Sequence, residues 1–370
     1  MADWEWNAGI GITFGLVAFA LTFFLIVAVQ YRRFGRFTPL RLLGAAAVSI
    51  YATTLIAYTL LPLPDSTAKV CAPTLEIVPF HSVGDILKDT AGDGIVATLT
   101  SAAMLQVVFN VLLFVPLGVI VRGFFSRRLP TTVLVGLATS VLIEATQYTA
   151  IWGIYSCAYR VADIDDVITN TLGALVGALL GPWLLRWMPR ERALLAARAT
   201  PRPVTVWRRW LGMAIDLALF SAIGSALVVP YRLVLIALGR SVGDHPDPVE
   251  AALGALVPAL LVFVLPSLRK SGASLGQSAV WLQPHWGRTP SAARRLGRAA
   301  SAGGLYGLLV FVSRLDTAAA GVAGTLGTLL LVAAFVAVPL SHGAGLSALV
   351  SRAVMRDERE AAVSKPPRLP

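Results

Sequence analysis

The sequence predicts an all-α fold, a polytopic transmembrane helical bundle of about nine spans with its N-terminus outside and its C-terminus inside. Three observations lead to this prediction: the composition, the number of long apolar stretches and the alternation of charge between loops. Of the 370 residues, 56% are hydrophobic and only 14% are charged, and the mean hydropathy is +0.73. Soluble globular domains have roughly 25% charged residues, so the composition indicates a multi-pass membrane protein.

Apolar stretches long enough to cross a bilayer, about 20 residues, recur along the whole chain. The eighth stretch is short and rich in glycine, so its completeness as a span is left open. Asp3 and Glu5 precede the first stretch, which argues against a cleavable signal peptide because such peptides begin with basic residues. The stretches cover residues 8–30, 42–61, 103–121, 132–152, 166–187, 210–237, 251–268, 299–313 and 318–340.

Charge alternates between successive loops. One set of loops, together with the C-terminal tail, holds 25 of the 31 basic residues, whereas the other set holds 6 basic and 14 acidic residues. Because loops rich in Lys and Arg remain in the cytoplasm, this alternation gives the orientation stated above. An eight-span alternative would place the basic tail outside. The net charge of +11 comes from scattered short clusters of this kind, so we expect no nucleic-acid partner.

An Arg- and Pro-rich segment divides the chain into two membrane domains, because such segments are typical of linkers. We predict a five-span domain, a cytoplasmic linker, a four-span domain and a charged cytoplasmic tail. These four regions cover residues 1–187, 188–207, 208–350 and 351–370.

Charged residues are concentrated where the fifth apolar stretch begins, in the sequence RVADIDDVITN. A helix starting near Asp163 would align Asp163, Asp166 and Asn170 on one face, since residues three or four apart are neighbours on a helix. Helix N-termini favour aspartate, which accounts for one or two of the acids. That preference does not explain three acids and Arg160 at one membrane entrance.

Polar residues of two other stretches are expected at a similar depth. Asn110 lies in the third stretch, and Glu144 and Gln147 share a face of the fourth. An ionisable side chain inside a span costs at least about 2.5–3.5 kcal/mol at the centre, so it normally faces the bundle interior and has a partner. We expect Glu144 to pair with Arg160, and the residues together to line a polar pocket near the outer surface.

Gly173, Gly177 and Gly181 recur at every fourth position of the fifth stretch. Small residues at this spacing allow two helices to approach closely in a bilayer. We therefore interpret these glycines as a packing surface and not as part of a binding site.

The long loop before the third stretch adds a third group of candidates. His81 and Asp85 could share a helix face, and His81 is included in the predicted pocket. Cys71 and Cys157 both fall in loops predicted to be outside, where disulfides persist, so we expect them to form a disulfide. No metal-binding motif with recognisable spacing occurs, so we expect neither a dedicated transition-metal site nor a cofactor. The carboxylates together with Asn and Gln side chains could hold a hard cation.

The first domain resembles the VanZ-like family over roughly residues 40–187. The namesake of that family is associated with resistance to teicoplanin, a lipoglycopeptide that binds cell-wall precursors outside the membrane. The Val78-Pro79-Phe80 stretch resembles the outer-loop motif of the family, with Glu76 where an asparagine is usual. The resemblance rests on Asn110, Phe114, Pro116, Leu117 and Gly118, on Glu144 and Gln147, on Arg160 and Asp163-Ile164-Asp165-Asp166, and on Asn170-Thr171-Leu172-Gly173.

The second domain resembles the RDD family, over roughly residues 205–350. Arg208 and Arg209 precede a span that contains Asp216, and the segment GASLGQSAVWLQP is similar to a glycine-rich cytoplasmic segment of that family. We identify no counterpart of the second aspartate of the family, which is expected late in the domain. Asp216 could bind an ion or a proton, or could pair with a basic neighbour at the inner surface.

These patterns and resemblances imply a factor in the cytoplasmic membrane that acts on the cell envelope from outside and lowers susceptibility to teicoplanin-type lipoglycopeptides. Its partners would be membrane lipids and either a lipid-linked cell-wall precursor or the lipoglycopeptide. Two alternatives remain open, an ion- or proton-coupled transporter that uses Glu144 and Asp216, and an enzyme acting on a lipid-linked substrate. Whether the protein is an enzyme is therefore left open.

Overall fold

The computed structural model describes residues 2–61, 75–91, 94–155, 161–243, 245–287 and 290–360. In these ranges nine helices are long and apolar enough to cross a membrane, which confirms the predicted all-α polytopic bundle. They are α1 (Ala2–Phe34), α2 (Pro39–Leu60), α3 (Ala102–Phe124), α4 (Leu129–Tyr148), α5 (Ile164–Leu184), α6 (Val206–Ala237), α7 (Pro248–Ser267), α8 (Ala292–Arg314) and α9 (Ala320–Leu340).

Some helices begin or end at other residues than predicted, because a side chain caps the helix or the backbone leaves the helical conformation. The eighth span is complete, because the Ser291 side chain caps α8 and its polar first turns extend the short apolar stretch. The fourth span ends at Tyr148, earlier than predicted, because Ala150, Ile151 and Trp152 have positive φ angles that a right-handed helix does not allow. Three spans contain a π-helical turn, at Ile120–Phe124, Leu260–Val264 and Ala300–Gly304.

Two compact units make up the chain. The first consists of Met1–Leu21 and Pro39–Glu191, and the second of Thr22–Thr38 and Arg192–Pro370. Helix α1 therefore contributes its first part to one unit and its second part to the other.

In the first unit, α3 and α5 pack along a surface of small residues, as the glycine spacing predicts. A Cβ atom at Gly173 would overlap the carbonyl oxygen of Val111, and one at Gly177 would overlap that of Val115. Phe114 and Ala174 are fully buried at this contact. The shorter elements of this unit are the helices His81–Asp89, Ile95–Thr100 and Ala150–Gly153, and the parallel strands β1 (Leu75–Glu76) and β2 (Ala162–Asp163).

In the second unit, two short antiparallel strands, β3 (Leu282–His285) and β4 (Val354–Asp357), pair so that Leu282 lies opposite Asp357. The sequence interpretation treats residues 351–370 as a charged tail, but β4 is folded and the Asp357 side chain is fully buried. A core of Tyr31, Ile215, Val280, Leu282 and Met355 lies beside these strands. The shorter helices near this unit are Glu191–Ala196, the 3₁₀ turn Ala197–Ala199, Leu275–Ala279 and Leu346–Ser351.

Candidate functional site

Helix α5 begins at an aspartate cap. The Asp163 side chain accepts the backbone N–H of Asp165 at 2.8 Å, which satisfies one of the free donors of the first turn. Strand β2 ends at Asp163 and pairs in parallel with β1, where Glu76 is its partner. The strand pair brings residues 75–76 of the long loop before α3 to the start of α5.

Asp165 connects this loop to α5. It is 4% exposed, and its two oxygens accept the backbone N–H groups of Phe80 and Ser82 at 2.6 and 2.8 Å. Phe80 is the N-cap residue of the helix His81–Asp89, and its side chain makes no cap hydrogen bond. The carboxylate of Asp165 therefore caps that helix from a distant part of the chain. Sequence reasoning did not include Asp165 among the pocket residues, because its neighbours predict only a helix start.

Asp166 is bound from α3. The Asn110 amide nitrogen donates to Asp166 Oδ1 at 2.6 Å, and the Gln106 side chain forms a second hydrogen bond to the same carboxylate. Gln106 was not predicted. The signal was its spacing of four residues from Asn110, which places both amides on one face of α3.

Helix α4 contributes Glu144 at the same level. Glu144 is 8% exposed, and its Oε2 accepts the backbone N–H of Asp163 at 3.2 Å. The predicted partner Arg160 lies outside the described residues, as do Cys71 and Cys157, so the ion pair and the disulfide stay predictions. Glu144, Asp163, Asp165, Asp166, Asn110 and His81 are called the entrance cluster below.

The two remaining predicted pocket residues hold helices together. The Gln147 side-chain nitrogen donates to the carbonyl oxygen of Thr59 at 2.7 Å, which connects α4 to α2. The Asn170 side-chain nitrogen donates to Ser140 Oγ at 2.9 Å, which connects α5 to α4. The buried Asn170 Oδ1 has no hydrogen-bond partner within the described residues. Buried polar groups in a bilayer are normally paired in this way, so both side chains support the fold around the entrance cluster.

His81 lies against the acids of α5. Its Nε2 is 3.0 Å from Asp85 Oδ2, and its Nδ1 is 3.7 Å from Asp165 Oδ2 and 3.9 Å from Asp163 Oδ2. One ligand atom each of His81, Asp163 and Asp165 lies within 4.8 Å of the others, a spacing that a cation could bridge. These three side chains would supply one ligand atom each, which leaves open positions for water or substrate.

Protonation of the cluster depends on burial. Burial raises the pKa of Asp163 above its ordinary value, and the repulsion of the Asp165 carboxylate acts in the same direction. The hydrogen bond from the Asp165 N–H opposes both effects. These effects favour the protonated form of Asp163 more than in an ordinary aspartate, because its pKa is raised.

In the second unit, the two predicted polar residues belong to different clusters. Arg208 donates to Asp357 Oδ2 at 2.7 Å and to the carbonyl oxygen of Val280. Asp216 accepts the Ser274 hydroxyl and the backbone N–H of Gly276, each at 2.6 Å. Asp216 thus holds the start of the helix Leu275–Ala279, and its close neighbours are hydrogen-bond donors of that segment.

A family model described as VanZ/LLP1 matches residues 48–186, which include the whole of the entrance cluster. No curated protein and no solved structure matches the chain.

Proposed function

We propose that the first unit acts on the cell envelope from the outer face of the cytoplasmic membrane and lowers susceptibility to teicoplanin-type lipoglycopeptides. The match of residues 48–186 to the VanZ/LLP1 family model supports the first part of this proposal. The single structural observation that carries it is the convergence of α3, α4, α5 and the His81–Asp89 helix on the entrance cluster.

The chemistry of the entrance cluster suits a polar ligand with amine or hydroxyl groups. Four carboxylates, those of Glu144, Asp163, Asp165 and Asp166, lie around the first turn of α5 and act as hydrogen-bond acceptors when ionised. Lipid-linked cell-wall precursors and lipoglycopeptides both present such donor groups at the membrane surface. The loop charges favour an outer position for this end of the bundle.

The test is expression in a susceptible host, with inhibitory concentrations of teicoplanin and vancomycin measured for wild type and for variants. Asp163→Asn removes a charge but retains a good helix cap, and Asp163→Ala removes both. The matched control is Asp247→Asn in the second unit, because Asp247 is also an aspartate N-cap, and its side chain accepts the backbone N–H of Glu250 at the start of α7.

We expect wild type to raise the inhibitory concentration of teicoplanin, and Asp163→Asn to abolish the increase while the amount of protein in the membrane stays unchanged. Asp247→Asn should retain the wild-type phenotype. Equal phenotypes for wild type and an empty vector would refute the proposal. If Asp163→Asn lost both the resistance and the protein from the membrane, while Asp247→Asn lost neither, the cluster would only support the fold.

A second candidate function is an enzyme acting on a lipid-linked substrate, and the arrangement of His81 beside Asp163 and Asp165 favours it. An acid with a raised pKa beside a histidine could transfer a proton, with or without a bound cation. Conversion of a lipid-linked precursor by purified protein would support this candidate, and the absence of conversion would exclude it. Full activity in His81→Ala would exclude His81 from the reaction.

We also propose that the second unit is an RDD-like domain. The supporting observation is Asp357, a buried aspartate late in the chain that pairs with Arg208. Its position outside the recognisable segments explains why the sequence alone did not identify it.

A further inference from the structure

The second unit contains a cavity of about 110 Å³ between α6, α7, α8, α9 and the helix Leu346–Ser351. This volume is several times the roughly 10–15 Å³ that one water molecule needs. One part of its wall is polar and includes Arg209, Asp216 and Arg298, and another part is apolar, with Phe263, Leu331 and Phe335 among its residues.

Two buried arginines face this cavity. Arg209 is 2% exposed, and its Nη2 donates to the carbonyl oxygen of Ala344. Arg298 is 3% exposed, and it donates to the Gly272 carbonyl oxygen, to Gln277 and to Ser347. Three of their nitrogens, Arg209 Nε, Arg209 Nη1 and Arg298 Nε, have no hydrogen-bond partner among the residues that the structure describes.

Unused donors of this kind are costly. A guanidinium group carries five N–H donors and keeps its charge inside proteins. An unpaired buried charge destabilises a fold unless an opposite charge or a hydrogen-bond acceptor meets it. The arrangement therefore calls for an acceptor inside the cavity.

Asp216 does not contact these nitrogens directly. Its two oxygens accept the Ser274 hydroxyl and the Gly276 N–H. Within the described parts of the chain, no carboxylate oxygen lies within 4.0 Å of a nitrogen of Arg209 or Arg298. Two arginines against one aspartate leave the polar wall positive whether Asp216 is ionised or protonated, so the wall favours an anion.

We propose that this cavity is a phosphate-binding site in which Arg209 and Arg298 hold a phosphate or phosphomonoester group. The planar guanidinium fork matches the oxygens of phosphate, and basic pockets between membrane helices bind lipid head groups. The apolar wall formed by residues such as Phe263 and Phe335 suits an acyl chain attached to that group. This proposal is independent of the function proposed for the first unit.

The test uses the full-length protein in two arms. In the first arm, nanodiscs of phosphatidylcholine alone are compared with nanodiscs that also contain phosphatidic acid, and bound lipid is counted by native mass spectrometry. In the second arm, inorganic phosphate is titrated against detergent-purified protein while thermal unfolding is followed. Retention of phosphatidic acid identifies a lipid head group as the ligand, and stabilisation by phosphate identifies the free ion.

Arg209→Gln and Arg298→Gln should each weaken binding about tenfold or more, because one charged hydrogen bond contributes roughly 1.5–3 kcal/mol. Arg269→Gln is the matched control, since Arg269 is an exposed arginine at the end of α7. If the glutamine variants fail to fold, binding is measured instead with Arg209→Lys and Arg298→Lys, which keep the positive charge. The proposal is overturned if wild type neither retains phosphatidic acid nor responds to phosphate, or if Arg269→Gln weakens binding as much as Arg209→Gln.

Discussion

The carboxylate of Asp165 accepts the backbone N–H of Phe80 at 2.6 Å, although 85 residues separate them along the chain. Its other oxygen accepts the N–H of Ser82. This acid thus provides the cap for the helix His81–Asp89 that Phe80 itself lacks. The contact fixes the position of His81 relative to α5 and so determines the geometry of the entrance cluster.

Replacing Asp165 should release this helix. We expect Asp165→Ala to lower the free energy of unfolding by about 2 kcal/mol or more, because two hydrogen bonds to a charged group are lost. Asp165→Asn should lose less, since its amide oxygen still accepts one N–H. Thermal unfolding in detergent and limited proteolysis near residues 75–91 measure the effect. Lys88→Ala on the same helix is the control, because the exposed pair of Asp85 and Lys88 contributes under about 1 kcal/mol; equal losses for both alanine variants would contradict the assignment.

Asp357 should make the second unit sensitive to acid. Burial would raise its pKa, but hydrogen bonds from Arg359 and Arg208 outweigh burial and lower the pKa to about 2. Because the folded pKa lies below the ordinary value of 3.8, the resulting stability is complete above about pH 4 and is lost as pH falls through 2. The contribution is about 2 kcal/mol, at roughly 1.4 kcal/mol for each pKa unit.

Unfolding measured between about pH 2 and pH 6 should therefore show this loss in wild type. Asp357→Asn should be less stable than wild type near neutral pH, because Arg208 and Arg359 lose their charged partner, and should lose less stability on acidification. Asp316→Asn removes an exposed acid and should keep the wild-type profile. The prediction would be contradicted if Asp357→Asn lost as much stability on acidification as wild type does.

The close contact of α3 and α5 predicts strong sensitivity to small substitutions. A methyl group at Gly177 would overlap the carbonyl oxygen of Val115, so Gly177→Ala should destabilise the protein by about 1–3 kcal/mol and lower its abundance. At Gly321 in α9 no described atom lies within 4 Å of such a methyl group, so Gly321→Ala should be tolerated. Abundance by immunoblot and unfolding in detergent compare the two variants, and equal tolerance would argue against this packing.

The orientation of the bundle can be tested by labelling. In a chain without native cysteines, Ser241→Cys should react with a membrane-impermeant maleimide in intact cells, because its loop belongs to the acidic set. Arg127→Cys lies in a basic loop and should react only after permeabilisation. Both residues are exposed, so accessibility from one side decides the labelling. The reverse pattern would invert the topology and move the entrance cluster to the cytoplasmic face.

The fold was largely predictable because each span carries its own signal. Hydropathy identified the helices, and the four-residue glycine spacing identified the surface of α5 that meets α3. Local spacing also brought Glu144 and Asp166 into consideration, since helical neighbours three or four apart share a face. Asn110 was identified as a polar residue within the third apolar stretch.

What the sequence could not reveal depends on contacts between distant segments. Asp165 and Phe80 are 85 residues apart, and Arg208 and Asp357 are 149 residues apart. Strands β3 and β4 are too short for a recognisable alternating pattern. Arg298, the second arginine of the cavity, belongs to a cluster of arginines in the sequence. The buried and the exposed arginines of this cluster have similar neighbours, so the sequence does not show which of them is buried.

The division of α1 between the two units has a consequence for biosynthesis. The first unit is complete in sequence at Glu191, so its parts are all available when about half of the chain has been synthesised. The second unit begins with Thr22–Thr38, yet Arg32 binds Glu358 and the Gly35 carbonyl oxygen binds Arg359, which the ribosome adds more than 300 residues later. The second part of α1 can therefore complete these contacts only after Glu358 and Arg359 have been synthesised, and a truncation that removes β4 and the residues after it would also destabilise Thr22–Thr38.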